Sequence, residues 1–142
     1  MSRRVVLDAD NVSRALADTN KGIIGIILEI CDHIAVNDLV LEEYSRSGKV
    51  NVKDLLAVLE MLNENTPTPK FISPNMGPMP NIPRPPSHRR LIVGAVRASA
   101  NLLVMNTEMR GRWGDLARDL REQYQLRVLS PDNYLSERGS EA

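Results

Sequence analysis

The chain opens with Arg3-Arg4-Val5-Val6-Leu7, a short β-branched run that stops at Asp8-Ala9-Asp10-Asn11. β-Branched residues crowd a helix and suit a pleated strand, so Arg4 to Asp8 reads as a strand. From Asn11 to Asp18 the apolar spacing turns helical, with Asp10 or Asn11 as the cap. A strand feeding directly into a helix begins a βα unit, and such units lead to a parallel sheet covered by helices. Open sheets of that kind bind their ligands beyond the carboxyl ends of the strands. Two acids and an amide at such a strand end offer hard oxygen ligands of the sort that hold Mg²⁺ or Mn²⁺.

The alternation continues along the chain. Lys21 to Ile34 reads as a helix, apolar almost all round and therefore buried, with His33 near its end as a structural residue complementing the dipole. Ala35-Val36 is a brief strand candidate. Asn37 or Asp38 caps a helix reaching about Ser45, which Gly48 helps to end, and Asn51 begins another through Leu62. Then come a helix from His88 to Ala98, a strand from Leu102 to Met105 and a helix from Asp115 to Gln125. A strand from Arg127 to Leu129 follows, and a last helix starts at Pro131. The expected fold class is α/β, a three-layer sandwich with a central, mainly parallel sheet. The 142 residues suit a single domain. Residues 66–87 hold eight of the nine prolines, with Lys70-Phe71-Ile72-Ser73 as the only strand-like piece, so they read as a long surface loop, either a variable insertion or a functional one.

Eighteen basic and eighteen acidic residues cancel, which removes any global field for nucleic acid while permitting a local patch. The best apolar run, Ile23 to Ile30, is short and broken by Gly25 and Glu29, so no membrane partner is expected. The first residues lack the apolar stretch of a signal peptide. The single cysteine, Cys31, excludes an internal disulfide and a cysteine-based zinc site, and in its apolar setting it reads as an inert thiol. A cytoplasmic protein is the simplest reading.

Helical phase singles out one acid in the middle of the chain. At about 100° per residue, Val36, Leu39, Val40 and Tyr44 share an arc that includes Glu43 and leaves out Glu42. A carboxylate in a buried stripe is costly unless it is paired or bound to a cation. Glu43 therefore either meets an arginine at the stripe's edge or faces the same crevice as Asp8. The densest basic cluster is Arg84, His88, Arg89 and Arg90, beside the proline-rich loop; it reads as an RNA-backbone contact or as a solvated face. His88 shares an inward arc with Ile92, Ala95 and Ser99, opposite Arg90 and Arg97. It is a candidate general base, ligand or phosphate contact, or an N-terminal helix residue with no role. Trp113 either stacks on a base or packs at a turn.

Val5-Val6-Leu7-Asp8 with Asn11-Val12, followed by Asn37-Asp38-Leu39-Val40-Leu41-Glu42-Glu43-Tyr44, resembles the first two signature blocks of the PIN-domain ribonuclease family. Arg90 to Val96 and Ala100 to Thr107 are similar to that family's third helix and fourth strand. Leu129-Ser130-Pro131-Asp132-Asn133-Tyr134-Leu135 is similar to its closing strand and helix. The resemblance implies Asp8 and Glu43 as metal ligands and catalytic residues, Mg²⁺ or Mn²⁺ as cofactor, and RNA as substrate. It also implies a homodimer and, as for many prokaryotic single domains, an antitoxin protein as partner. The chain departs from the pattern at two acids. His88 or Arg89 stands where the third helix opens with aspartate. Met105-Asn106-Thr107-Glu108 replaces the usual Thr-x-Asp, leaving Glu108 as the nearest substitute ligand and Asp115 as a distant one. Asp8-Ala9-Asp10-Asn11 also resembles the first strand end of the related NYN nucleases, with Asp10 and Asn11 as further oxygen donors. The expectation is a metal-dependent endoribonuclease for single-stranded RNA with an incomplete acidic site. The alternative is a catalytically impaired module on the same fold that binds RNA or a protein. A nucleotide-binding α/β domain is a third option, unsupported by any glycine-rich phosphate loop.

Overall fold

Five parallel strands in the order β3-β2-β1-β4-β5 form the centre of the molecule. The computed structural model describes residues 3–19, 22–29, 32–65, 71–72, 89–106 and 112–141. Along the chain these are β1 (Arg4–Leu7), α1 (Ala9–Ala17), α2 (Gly22–Glu29), β2 (His33–Val36), α3 (Asp38–Ser47) and α4 (Val52–Asn65). There follow β3 (Phe71–Ile72), α5 (Arg89–Arg97), β4 (Leu102–Val104), α6 (Arg112–Tyr124), β5 (Arg127–Leu129) and α7 (Pro131–Glu141). Helices cover the sheet in a three-layer α/β arrangement, as the strand–helix alternation predicts. Among the described residues, no helix is long and apolar enough to cross a membrane.

The strand order carries the functional geometry. β1 pairs with β2 on one side and with β4 on the other, so the winding reverses at β1. That reversal leaves a crevice beyond the carboxyl ends of β1 and β4, the place where α/β sheets accept ligands. Val5, Val6 and Leu7 of β1, and Leu103 and Val104 of β4, are fully buried. Strands covered on both faces read as unbroken apolar runs for this reason.

Three boundaries differ from the sequence reading, each with a physical cause. Asp8, rather than Asp10 or Asn11, caps α1, because its carboxylate accepts from the Asn11 N–H. The helix expected to reach Ile34 instead gives way to β2, which starts at His33. His33 is therefore a strand residue and complements no helix end. A segment apolar on every side cannot be told from a buried strand by periodicity. α6 begins at Arg112, because Asp115 sits in its first turn rather than at its start. In the proline-rich stretch Phe71 and Ile72 form a short strand where one is expected, parallel to Ala35 and Val36. The remainder of that loop lies outside the described residues, as do Cys31, Arg84, His88 and Glu108.

Two devices seat the helices. Asn37, fully buried, caps α3 through Oδ1 on the Val40 N–H and donates Nδ2 to the Gly94 carbonyl of α5. At the opposite end of the sheet, Asp32 is fully buried and accepts from the Tyr134 hydroxyl and the Arg3 backbone N–H. Glu137 of α7 binds both terminal nitrogens of Arg127 at 2.8 Å and Nη1 of Arg3 at 3.1 Å. Ser130 and Pro131 start α7, the serine Oγ accepting from the Asn133 N–H.

A Cβ at Gly94 would lie 2.8 Å from Val40 Cγ2 and 3.2 Å from the Val40 backbone nitrogen. Alanine favours helices over glycine by at most about 1 kcal/mol. Overpacking against a fixed backbone costs about 1–3 kcal/mol. Gly94→Ala should therefore lower the urea midpoint, and an unchanged or raised midpoint would show that α3 and α5 can part freely. The Arg127 hydrogen bond, ahead of Arg3's and against some burial, holds the Glu137 carboxyl below its ordinary 4.5. A depressed acid stabilises the fold above its unfolded value and loses that contribution as pH falls through the folded one. As pH falls through its ordinary 4.5 and below, the native protein should lose more stability than Glu137→Gln in urea titrations; parallel losses would remove Glu137 from the acid response.

Candidate functional site

Asp8 stands at the carboxyl end of β1, 5 % exposed. The Asn11 backbone N–H at 3.0 Å and the Asn11 side-chain amide at 2.6 Å both donate to its Oδ1. The Asn106 backbone N–H, just past β4, donates to Oδ2 at 3.0 Å. The Asp8 N–H itself donates to the Val104 carbonyl. One carboxylate thus ties the first turn of α1 to the exit of β4, across the point where the winding reverses. A carboxylate oxygen has room for two partners, so Oδ2 keeps an acceptor position beyond its single N–H donor.

Around Asp8 the cluster is mixed in charge. The Asn11 amide also reaches Asn106 Oδ1 at 3.3 Å. Asp10, on the first turn of α1, is ion-paired with Lys49, which lies just beyond the left-handed Gly48 that ends α3. The Lys49 hydrogen bond is the main cause that holds the Asp10 carboxyl below its ordinary value; partial burial opposes it, and Asn106 and Arg14 add smaller pulls. Tyr44 is fully buried behind the cluster and donates its hydroxyl to the Leu7 carbonyl at 2.6 Å. Burial first, and the nearby negative Asp8 second, push this phenol well above its ordinary value, so it remains a donor.

Glu42 and Glu43 differ in burial as their helical phase predicts, but the arginine that one alternative sets beside Glu43 is absent among the described residues. Glu42 is exposed and pairs with Arg90, whereas Glu43 is half-buried, one residue before Tyr44. Among the described residues no hydrogen bond or ion pair holds Glu43. No three His, Cys, Asp or Glu residues among those described gather closely enough to hold a metal ion. Asp8, Asp10 and Glu43 therefore do not form such a group by themselves. Arg89 is exposed, and Asp115 pairs with Arg118 on the first turns of α6. His88, Glu108 and Arg84 lie outside the described residues, as does the side chain of Trp113.

The donor set at the crevice is hard oxygen: Asp8 Oδ2, the Asp10 carboxylate and the Asn106 amide oxygen. That chemistry suits Mg²⁺ or Mn²⁺, and the Lys49 ammonium shows that Asp10 already attracts positive charge. A two-ion site needs more carboxylates than these. Sequence reasoning overlooked Lys49, whose partner lies 39 residues away with nothing local to announce it. It also treated Asn106 only as a missing acid, although the amide's backbone orients Asp8.

No protein-family model, curated protein or solved structure matches this chain.

Asp8→Asn replaces an acceptor oxygen with an amide nitrogen, leaving either the Asn11 or the Asn106 N–H without its partner. An unpaired buried donor costs about 1–3 kcal/mol, so this variant should unfold earlier in urea. Wild-type stability in Asp8→Asn would show that the carboxylate is not a structural tie.

Proposed function

We propose that this protein is a PIN-like, metal-dependent endoribonuclease acting on single-stranded RNA. The observation that carries the reading is the place of Asp8 and Asp10, beyond the carboxyl end of β1 where the strand order reverses. Asp8 is held in one orientation by three donors from two elements, which suits a group that must present its second oxygen in a fixed direction. Asp10 brings a second carboxylate to the same rim, and the Asn106 carbonyl brings a neutral oxygen. A divalent cation bound there would polarise a phosphodiester and supply a more acidic water. The protein's own part is to orient these oxygens and to balance their charge with Lys49. Glu43 and the basic side chains Arg89 and Arg90 belong to the proposal as further acid and RNA-contact residues, alongside His88, Glu108 and Arg84.

A specific observation favours the second reading, an impaired module that binds RNA or a protein. Lys49 occupies Asp10, and Asn106 stands near where the family pattern has an acid. Both lower the negative charge available to a cation.

The deciding assay uses Asp10→Asn, because Asp10 is half-buried at the rim and caps nothing. Wild type should cut single-stranded RNA with Mg²⁺ or Mn²⁺ and stop on chelation. Asp10→Asn should fall by at least about 100-fold, the upper range for losing a group that supports a metal site. Binding of RNA without cleavage under any divalent ion would establish the impaired module instead.

A further inference from the structure

We propose that Lys49 is an exchangeable counter-ion. It neutralises Asp10 until a divalent cation takes that carboxylate, and it then swings into the groove between α1 and α4 to grip an RNA phosphate. The inference rests on the metal-dependent reading of the crevice, and deepens it by adding a residue that links cation binding to substrate binding.

Three observations meet at this side chain. First, Lys49 pairs with Asp10 while both remain in part exposed to water, the lysine side chain 54 % exposed and the aspartate 41 %. An ion pair open to water contributes little to stability, so a doubly charged ion can displace the ammonium without disturbing the core. Secondly, Lys49 lies in the short connection between α3 and α4, after the left-handed Gly48. Its four-carbon stem can therefore move without breaking a helix. Thirdly, Lys49 also lines an open groove of about 530 Å³ whose other walls include Ser13 and Leu16 of α1, Asn51, and Asp54 and Val58 of α4. The groove gives the released ammonium a site beside the crevice, and the Ser13 hydroxyl and Asn51 amide are neutral partners for a phosphodiester oxygen. Asp54 is the opposing charge; it lies on the first turn of α4 with its backbone N–H on Asn51 Oδ1. A backbone that enters the groove therefore needs the Lys49 charge to offset Asp54.

Physical exchange makes a signed prediction. With the ammonium on Asp10, an arriving cation meets both a competitor and a like charge. Lys49→Gln removes both and should tighten Mn²⁺ binding, followed by calorimetry, by about tenfold, the scale of a unit charge a few ångströms away in a largely aqueous setting. In an Asp10→Asn background the same substitution should change Mn²⁺ affinity little, because the contested carboxylate is gone. On the RNA side, Lys49→Gln should weaken binding of a short single strand in Ca²⁺. It should also reduce the slope of log affinity against log salt by about 0.7, the share of one phosphate contact on a single strand. Unchanged or weaker Mn²⁺ binding in Lys49→Gln overturns the exchange, as does an equal effect with and without Asp10. An unchanged salt slope overturns the phosphate contact. If the Mn²⁺ changes appear but neither protein cuts RNA, the nuclease reading fails while the exchange stands. If wild type cuts RNA and Lys49→Gln leaves Mn²⁺ affinity as it was, the exchange fails alone.

Discussion

The Asp8 carboxylate is the tie on which the crevice depends. Its two oxygens answer donors from α1 and from Asn106, two residues past β4, so the helix start and the neighbouring strand cannot shift separately. Both elements lie at the reversal of strand order, where no continuous backbone joins them. A hydrogen bond to a charged group is stronger than a neutral one, which suits a joint that a packing contact alone would leave loose. The consequence for chemistry is a divided role. A substitution at Asp8 disturbs the architecture as well as any ligand function, whereas Asp10 offers a cleaner probe at the rim.

Behind this joint, α3 is held at three points. Its start is capped by Asn37, whose amide also reaches α5. Its first turn, at Leu39 and Val40, meets Gly94 at a separation that a methyl group would violate. Its Tyr44 hydroxyl takes the Leu7 carbonyl, the last one of β1. The tyrosine thus supports the same strand end that Asp8 terminates, from the buried side. Glu43 gains its half-buried setting because Tyr44 must point inward. Its exposure follows from its neighbour's packing and implies no ligand function on its own.

Much of the fold was legible because the driving pattern was local. Short apolar runs placed β1 and β4, proline opened α7, and the arc of Val40 and Tyr44 separated Glu42 from Glu43. The α2–β2 boundary was hidden because a segment buried on all sides carries no period to read. The α1 cap was misplaced by two or three residues because Asp8, Asp10 and Asn11 are all good caps, and only the geometry of the Asn11 N–H chooses between them. At the candidate site, the strand-end acids could be read from the sequence, since a strand followed by a helix leaves them beyond the sheet. The Lys49–Asp10 pair and the Asn106 contact could not. They join residues 39 and 98 positions apart, and their meeting is decided by how α3 and β4 settle on β1.

The strand order also has a consequence for how the chain assembles during synthesis. β1 emerges first yet belongs in the middle of the sheet, with β2 on one edge and β4 on the other. Its second neighbour pairs Val5, Val6 and Leu7 with Leu102, Leu103 and Val104, roughly one hundred residues later. Until those residues leave the ribosome, one edge of a largely apolar strand stays unpaired. Unpaired apolar edges invite association with other chains, and such distant parallel pairings are slow to form. The polar residues that close β1, Asp8 above all, wait just as long for Asn106. A nascent chain of this topology therefore passes through an interval in which its future crevice is open to whatever protects it.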